Sequence, residues 1–121
     1  MYRGKTLISL LGLALLGGGG PAFAQAAPAG YERCPRQHFC LFDGAGGTGL
    51  MASFRHGSPD LRRQSMDDRA SSYADRTTDT WWCLYENPNY DESSWPIYPG
   101  GSGNLSPEWD NRASSVKPCY R

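Results

Sequence analysis

Only two histidines occur in the 121 residues, His38 and His56. Neither falls in H-E-x-x-H or another close ligand spacing, so zinc-dependent hydrolysis has no support in the composition. Surplus positive charge is also missing: 12 basic residues face 12 acidic ones, which leaves no basic face for nucleic acid or an anionic membrane. There are no paired C-x-x-C knuckles, so the four cysteines do not read as a metal site. No apolar run reaches the roughly 20 residues that span a bilayer. No segment keeps helical periodicity for two turns, which leaves short strands and turns.

What is present begins with a leader. Arg3 and Lys5 precede an apolar run from Leu7 to Leu16, then glycines, then Ala22-Phe23-Ala24. The pattern predicts a secretory signal peptide over residues 1–24, cleaved after Ala24. A mature chain of 97 residues with a net charge of −2 would follow, extracellular, off the membrane and expected to be monomeric. A domain of that size is only marginally held by one core, so staples are expected. In an oxidising compartment Cys34, Cys40, Cys83 and Cys119 should form two disulfides. Of the three pairings, Cys34 with Cys40 and Cys83 with Cys119 is favoured, because the first closes a local loop and the second ties a strand to the C-terminus.

The chain also repeats itself. "DDRASS" from Asp67 to Ser72 returns as "DNRASS" from Asp110 to Ser115, 43 residues later. At the same offset "FCLFD" (Phe39 to Asp43) falls on "WCLYE" (Trp82 to Glu86), Phe54 on Ile97 and Gly57 on Gly100. Glycine and proline cluster between the apolar stretches, in "DGAGGTG", "HGSPD", "ENPN" and "YPGGSG". The expected fold is all-β, with a short segment over 25–33 and one disulfide-stapled sandwich domain over 34–121. Two Greek keys of about four strands each, near 34–76 and 77–121, should pack face to face. Leu41, Phe54, Leu84, Ile97 and Val116 are the core candidates, with Trp82 and Trp109 partly buried.

An aromatic-led first strand, a glycine-rich fold-over and the closing pattern [ND]-[ND]-x-x-[ST]-S, matched by both hexapeptides, resemble the βγ-crystallin domain over roughly residues 34–118. With the leader, "CPRQHFCLF" and "SSVKPC", the chain looks most like the small secreted peptidase inhibitors of actinobacteria. The fold-over pattern, aromatic-x4-aromatic-x-Gly, is incomplete in both copies. The first offers Phe42, Gly47 and Gly49 without the second aromatic, and the second offers Tyr85, Tyr90 and Glu92 without the glycine. Strain or a rearranged hairpin is expected at Glu92.

The resemblance implies two weak Ca²⁺ sites shared between the copies. Side-chain oxygens would come from Asp68 and Asn111, hydroxyls from Ser71 and Ser114, and backbone carbonyls from Asp67, Asp110 and the loops after Asp43 and Glu86. Such oxygen donors suit a hard cation, and the site with the Asp68 carboxylate should be the tighter. The final serines, Ser72 and Ser115, are expected to bond inside the fold.

Catalytic readings find little. "GAGGTG" satisfies G-x-G-x-x-G but no helix follows it, so it reads as a hairpin. His56 with Ser53 and Asp60 lacks a nucleophile elbow, and Asp91-Glu92 reads as solvated loop acids rather than a glycosidase pair. Trp81, Trp82, Tyr85, Tyr90, Trp95 and Tyr98 crowd the second copy, where alternation must send Trp81 and Trp82 to opposite faces. The resemblance implies an inhibitor of an extracellular peptidase, with metalloproteinases a candidate target class, and not an enzyme. Asn87 to Ser94 and Pro99 to Gly103 are candidate contact segments. The alternative is a calcium-stabilised extracellular structural or binding module with no protease target.

Overall fold

A computed structural model describes residues 30–120; the leader and its cleavage point lie outside them. Among the described residues seven strands make two antiparallel sheets: β1 (Phe39–Phe42), β2 (Met51–Phe54), β3 (Ser72–Asp75), β4 (Trp81–Asn87), β5 (Asp91–Ile97), β6 (Ser102–Asn104) and β7 (Ser115–Tyr120). The only helices among the described residues are 3-10 turns of three or four residues. This agrees with glycine and proline breaking up every apolar stretch. One sheet has the order β2-β1-β3-β6 and the other β5-β4-β7.

The two Greek keys exchange strands. β6 belongs to the second copy but pairs with β3 of the first, Tyr73 opposite Gly103. In return Ser58 of the first copy bridges Val116 of the second, through bonds of 2.8 and 3.0 Å. The third of the first copy's four strands is thus a single bridge rather than a full strand, because "HGSPD" carries a proline beside it.

The main core between the sheets contains Leu41, Phe54, Leu84, Ile97 and Val116, with Trp109 packed at its edge, as the alternation predicts. Phe39, Ala52, Leu61, Met66, Leu105 and the hexapeptide alanines Ala70 and Ala113 join it. Trp82 is more buried than expected, at 1% exposure. Its ring stacks on that of Phe39, its counterpart in the other copy, with centroids 5.0 Å apart and planes 8° from parallel. The repeat brings equivalent aromatics together across the sandwich, and that contact closes over both rings.

β1 departs from simple alternation: all four of its residues are buried. Phe39 and Leu41 face the main core, while Cys40 and Phe42 join a second cluster with Cys34, Ala74 and Tyr31 on the outer side of the sheet. The segment preceding β1 folds over that side and covers it. The disulfides are Cys34–Cys40 and Cys83–Cys119.

Candidate functional site

The hexapeptides meet at one end of the sandwich, and their backbones are cross-linked symmetrically. Asp68 N–H donates to Ala113 O at 3.0 Å, and Asn111 N–H to Ala70 O at 2.9 Å. Asp68 and Asn111 both adopt left-handed backbone, φ 54° and 62°, a conformation that Asp and Asn tolerate better than most residues. The final serines act within the fold as expected. Ser72 Oγ donates to Gly44 O at 2.7 Å and accepts from Gly47 N–H at 2.9 Å. Ser115 Oγ repeats this with Asn87 O at 2.6 Å and Tyr90 N–H at 3.0 Å. Both side chains are fully buried, and each ties its fold-over to the end of its own copy.

The side chains suited to a cation are brought together unequally. Ser114 Oγ lies 3.4 Å from Asp68 Oδ1, joining the second position of one hexapeptide to the fifth of the other. Partial desolvation and the Asp67 carboxylate raise the Asp68 pKa, against the pull of Ser114 and Arg112. Asp43, Ser71 and Asp110 line a cleft of about 360 Å³ together with Asn104, and Asn111 is not part of its wall. Two arginines at the third hexapeptide position change the electrostatics. Arg69 pairs with Asp43 and Arg112 with Glu86, each at 2.7 Å. Asp43 also accepts from Leu50 N–H at 2.9 Å, so both of its carboxylate oxygens are engaged. The donor set therefore fits a hard cation better around Asp68 and Ser114 than around Asp43 and Ser71. Arg69 and Arg112 were missed from sequence, although each follows its acid by 26 residues in both copies.

The incomplete fold-overs are completed in two ways. In the second copy Asn89 and Tyr90 carry the left-handed backbone, both at φ 63°, and Glu92 falls inside β5. Tyr85 and Tyr90 meet edge to face at 5.7 Å, and Lys117 Nζ sits 4.5 Å from the Tyr90 ring centroid. The first copy has Gly47 where the second has Tyr90. The N-terminal segment supplies the ring instead: Tyr31 meets Phe42 edge to face at 5.8 Å, and Arg33 lies over Phe42 at 5.2 Å. Gly47, at φ 74°, permits this because a Cβ there would stand 2.9 Å from the Tyr31 nitrogen.

At the opposite end of the sandwich the aromatic crowd of the second copy separates. Trp82 enters the core, and Trp95 packs between Tyr73 and Trp109. Trp81 is 36% exposed and touches two more exposed rings, Tyr98 at 58% and Tyr120 at 60%, each with its centroid 6.2 Å away. Tyr120 was not foreseen, since its meeting with Trp81 depends on the shift in register between Trp81 and Trp82. The two candidate contact segments lie towards opposite ends of β5. Asn87 to Ser94 is no long connection: it is one 3-10 turn, Pro88–Tyr90, between the paired strands. Asp91 and Glu92 accordingly sit in a strand rather than a loop.

No catalytic arrangement forms around the histidines. Asp60 caps the turn Leu61–Gln64 and pairs with Arg62 at 2.8 Å, and His38 Nδ1 is 3.0 Å from Arg36 O. "GAGGTG" forms a 3-10 turn between β1 and β2. No helix among the described residues is long and apolar enough to cross a membrane.

The model for peptidase inhibitor family I36 matches residues 27–97, more than half of the chain, ending before β6 and the second hexapeptide. No curated protein matches. Among solved structures the chain is similar to the beta gamma crystallin from Ciona intestinalis, with TM-score 0.60 and 22% identity over 68% of this chain and 99% of that one. It is also similar to a betagamma-crystallin domain from Flavobacterium johnsoniae, with TM-score 0.59 and 19% identity over 69% of this chain and 94% of that one. A betagamma-crystallin from an archaeon matches with TM-score 0.59 and 20% identity, over 70% of this chain and all of that one, 100%. These likenesses carry the fold, and the two disulfides together with the matched family suit an extracellular protein. On the match over 27–97 and the paired, strand-exchanged Greek keys, the chain belongs to peptidase inhibitor family I36 and has a βγ-crystallin fold.

Proposed function

We propose that the protein is a secreted inhibitor of an extracellular peptidase, with metallopeptidases the first class to test. The observation that carries this reading is the exposed cluster of Trp81, Tyr98 and Tyr120 beside the Tyr98–Gly101 turn. Gly101 N–H donates to Tyr98 O at 3.0 Å, and the Cys83–Cys119 bridge staples β4 to β7 just inside Trp81 and Tyr120. Large rings on a braced edge bury much area for little lost conformational freedom, which favours tight binding. Oxidised mature chain, Gln25 to Arg121, should inhibit at least one member of a panel of secreted metallo- and serine peptidases at nanomolar concentration. Trp81→Ala with Tyr98→Ala should weaken that inhibition by about 30-fold or more, the effect of losing about 2 kcal/mol at a hot spot. Absence of inhibition by a folded chain across the panel would sink the reading in favour of the calcium-stabilised module.

Calcium binding is the second part of the proposal, supported by the facing oxygens of Asp68 and Ser114. A site with Kd near ~1 mM should stabilise the fold by about 1.4 kcal/mol in roughly 10 mM Ca²⁺. Thermal melts with Ca²⁺ and with chelator should differ accordingly, and Asp68→Asn should remove most of the difference. A wild-type melt that ignores Ca²⁺ would refute it.

A further inference from the structure

We propose that Asp75 is a proton-operated latch on the linker between the two Greek keys, which holds the linker closed while its carboxyl carries a proton and releases it when the proton is lost. Asp75 ends β3 opposite Phe39, so its side chain shares the inner face of the sheet with that ring. Only 1% of the residue is exposed. Its Oδ1 lies 2.9 Å from Thr77 N and 2.6 Å from the Thr77 hydroxyl, and its buried Oδ2 has no hydrogen-bond partner among the described residues. The same hydroxyl lies 2.9 Å from Thr80 O. With Asp75 ionised, one O–H therefore faces two acceptors, and a carboxylate oxygen is left bare in the interior. A proton on Oδ1 resolves both conflicts. The carboxyl then donates to Thr77 Oγ1, the Thr77 hydroxyl donates to Thr80 O, and Oδ2 becomes an uncharged carbonyl oxygen, which is less unfavourable to bury.

No neighbouring charge stands in for the proton. Tyr31, Glu32 and Arg76 line a cleft with Asp75, but the Arg76 guanidinium donates to Cys34 O at 3.0 Å and Glu32 O at 3.4 Å. Beyond the linker, Arg55, His56 and Asp79 line a recess with Thr77 and Thr80. None of these groups bonds the Asp75 carboxyl, whose only partner is Thr77. An ionised Asp75 gains hydration only if the linker moves aside. Both arms of the exposed aromatic cluster lead back to this residue. Asp75 N–H donates to Gly101 O at 2.7 Å, in the turn that begins at Tyr98, and Thr77 holds Thr80, which precedes Trp81. Control of the inhibitory surface by the latch rests on the function proposed above; the latch itself does not.

The test follows the Asp75 side-chain ¹³Cγ resonance of the oxidised, labelled chain as pH is raised through the carboxylate range and past neutrality. Amide protection at Thr77 and the amide shift of Trp81, whose peptide carries the Thr80 carbonyl, are read beside it. The carboxyl should titrate above its ordinary value of 3.8. Through the same midpoint Thr77 protection should fall about tenfold or more and the Trp81 amide should move. Asp75→Asn is neutral at every pH and keeps both histidines, so both responses should vanish in it. Thr77→Val, which breaks the relay to Thr80, should abolish the Trp81 response. Titration of Asp75 at or below 3.8, a linker that does not track it, or responses that persist in Asp75→Asn would overturn the latch. These readouts need no peptidase, so a folded chain that inhibits nothing would sink the inhibitor reading and leave the latch standing.

Discussion

Replacing Ser72 with alanine removes a hydroxyl that holds two backbone groups of the first fold-over, Gly44 O at 2.7 Å and Gly47 N–H at 2.9 Å. Gly47 is buried, so its N–H would lose its partner without gaining water. An unpaired buried donor costs about 1–3 kcal/mol, and the lost donation to Gly44 about 1 more. The expected destabilisation is about 2–4 kcal/mol, a large share of the roughly 5–15 kcal/mol available to a domain of this size. Ser115→Ala should cost somewhat less, because Ser115 makes the same two bonds but the Tyr90 N–H it holds is only part-buried and can regain water. One position earlier the outcome should be different. Ser114 makes a single long bond of 3.4 Å to Asp68, so Ser114→Ala, and likewise Ser71→Ala, should fall within about 0.5 kcal/mol in chelator. Urea unfolding of oxidised protein, followed by tryptophan fluorescence with chelator present, reads this directly. The Ser72 and Ser115 variants should lose roughly 1–3 M in midpoint at unchanged slope. Equal shifts for the fifth and sixth positions would refute this division of roles between adjacent serines.

Three further outcomes follow from the same geometry. Gly47→Ala places a methyl group 2.9 Å from the Tyr31 nitrogen at φ 74°; it should destabilise the fold by about 1–3 kcal/mol in urea unfolding and speed hydrogen exchange over Gly30 to Cys34. The bridges close stretches of 36 and 6 residues, so removing Cys83–Cys119 as a double alanine should lower stability by about 4 kcal/mol and removing Cys34–Cys40 by about 2; the reverse ranking would count against loop closure as the cause. Burial raises the Asp75 carboxyl above its ordinary value of 3.8, against the bonds from Thr77. The folded state therefore holds that proton more readily than the unfolded one, and the contribution is complete below the ordinary value and lost as pH rises through the raised one. Melting temperature should accordingly climb, as far as Asp75 governs it, when pH is lowered from neutral towards that window, and Asp75→Asn should flatten the slope.

What could be read before the structure was whatever the 43-residue echo carries. Leu41 and Leu84, Phe54 and Ile97, and the closing serines occupy equivalent places, so one copy checks the other. Both disulfides were legible for a similar reason: short and long closures within single copies suit the two outer faces. Trp82 was misjudged because its burial depends on meeting Phe39 across the sandwich, a contact between copies that alternation within one strand does not reveal. Tyr31 was invisible because it lies outside the repeat and replaces a ring that Gly47 lacks. The Arg69 and Arg112 pairs were present as a repeated spacing, but acids and arginines on a surface are common, and only a fixed backbone turns that spacing into contact.

The exchange of strands has a consequence for survival among hydrolytic enzymes. Neither disulfide joins the first copy to the second, yet β6 is seated in the first sheet and Ser58 in the second. A cut in the linker between Asp75 and Trp81 would sever the chain but leave the halves clasped, each still completing the other's sheet. The covalent joint between the two copies is therefore not the one that keeps them together, and a nicked molecule would keep both of its sheets complete.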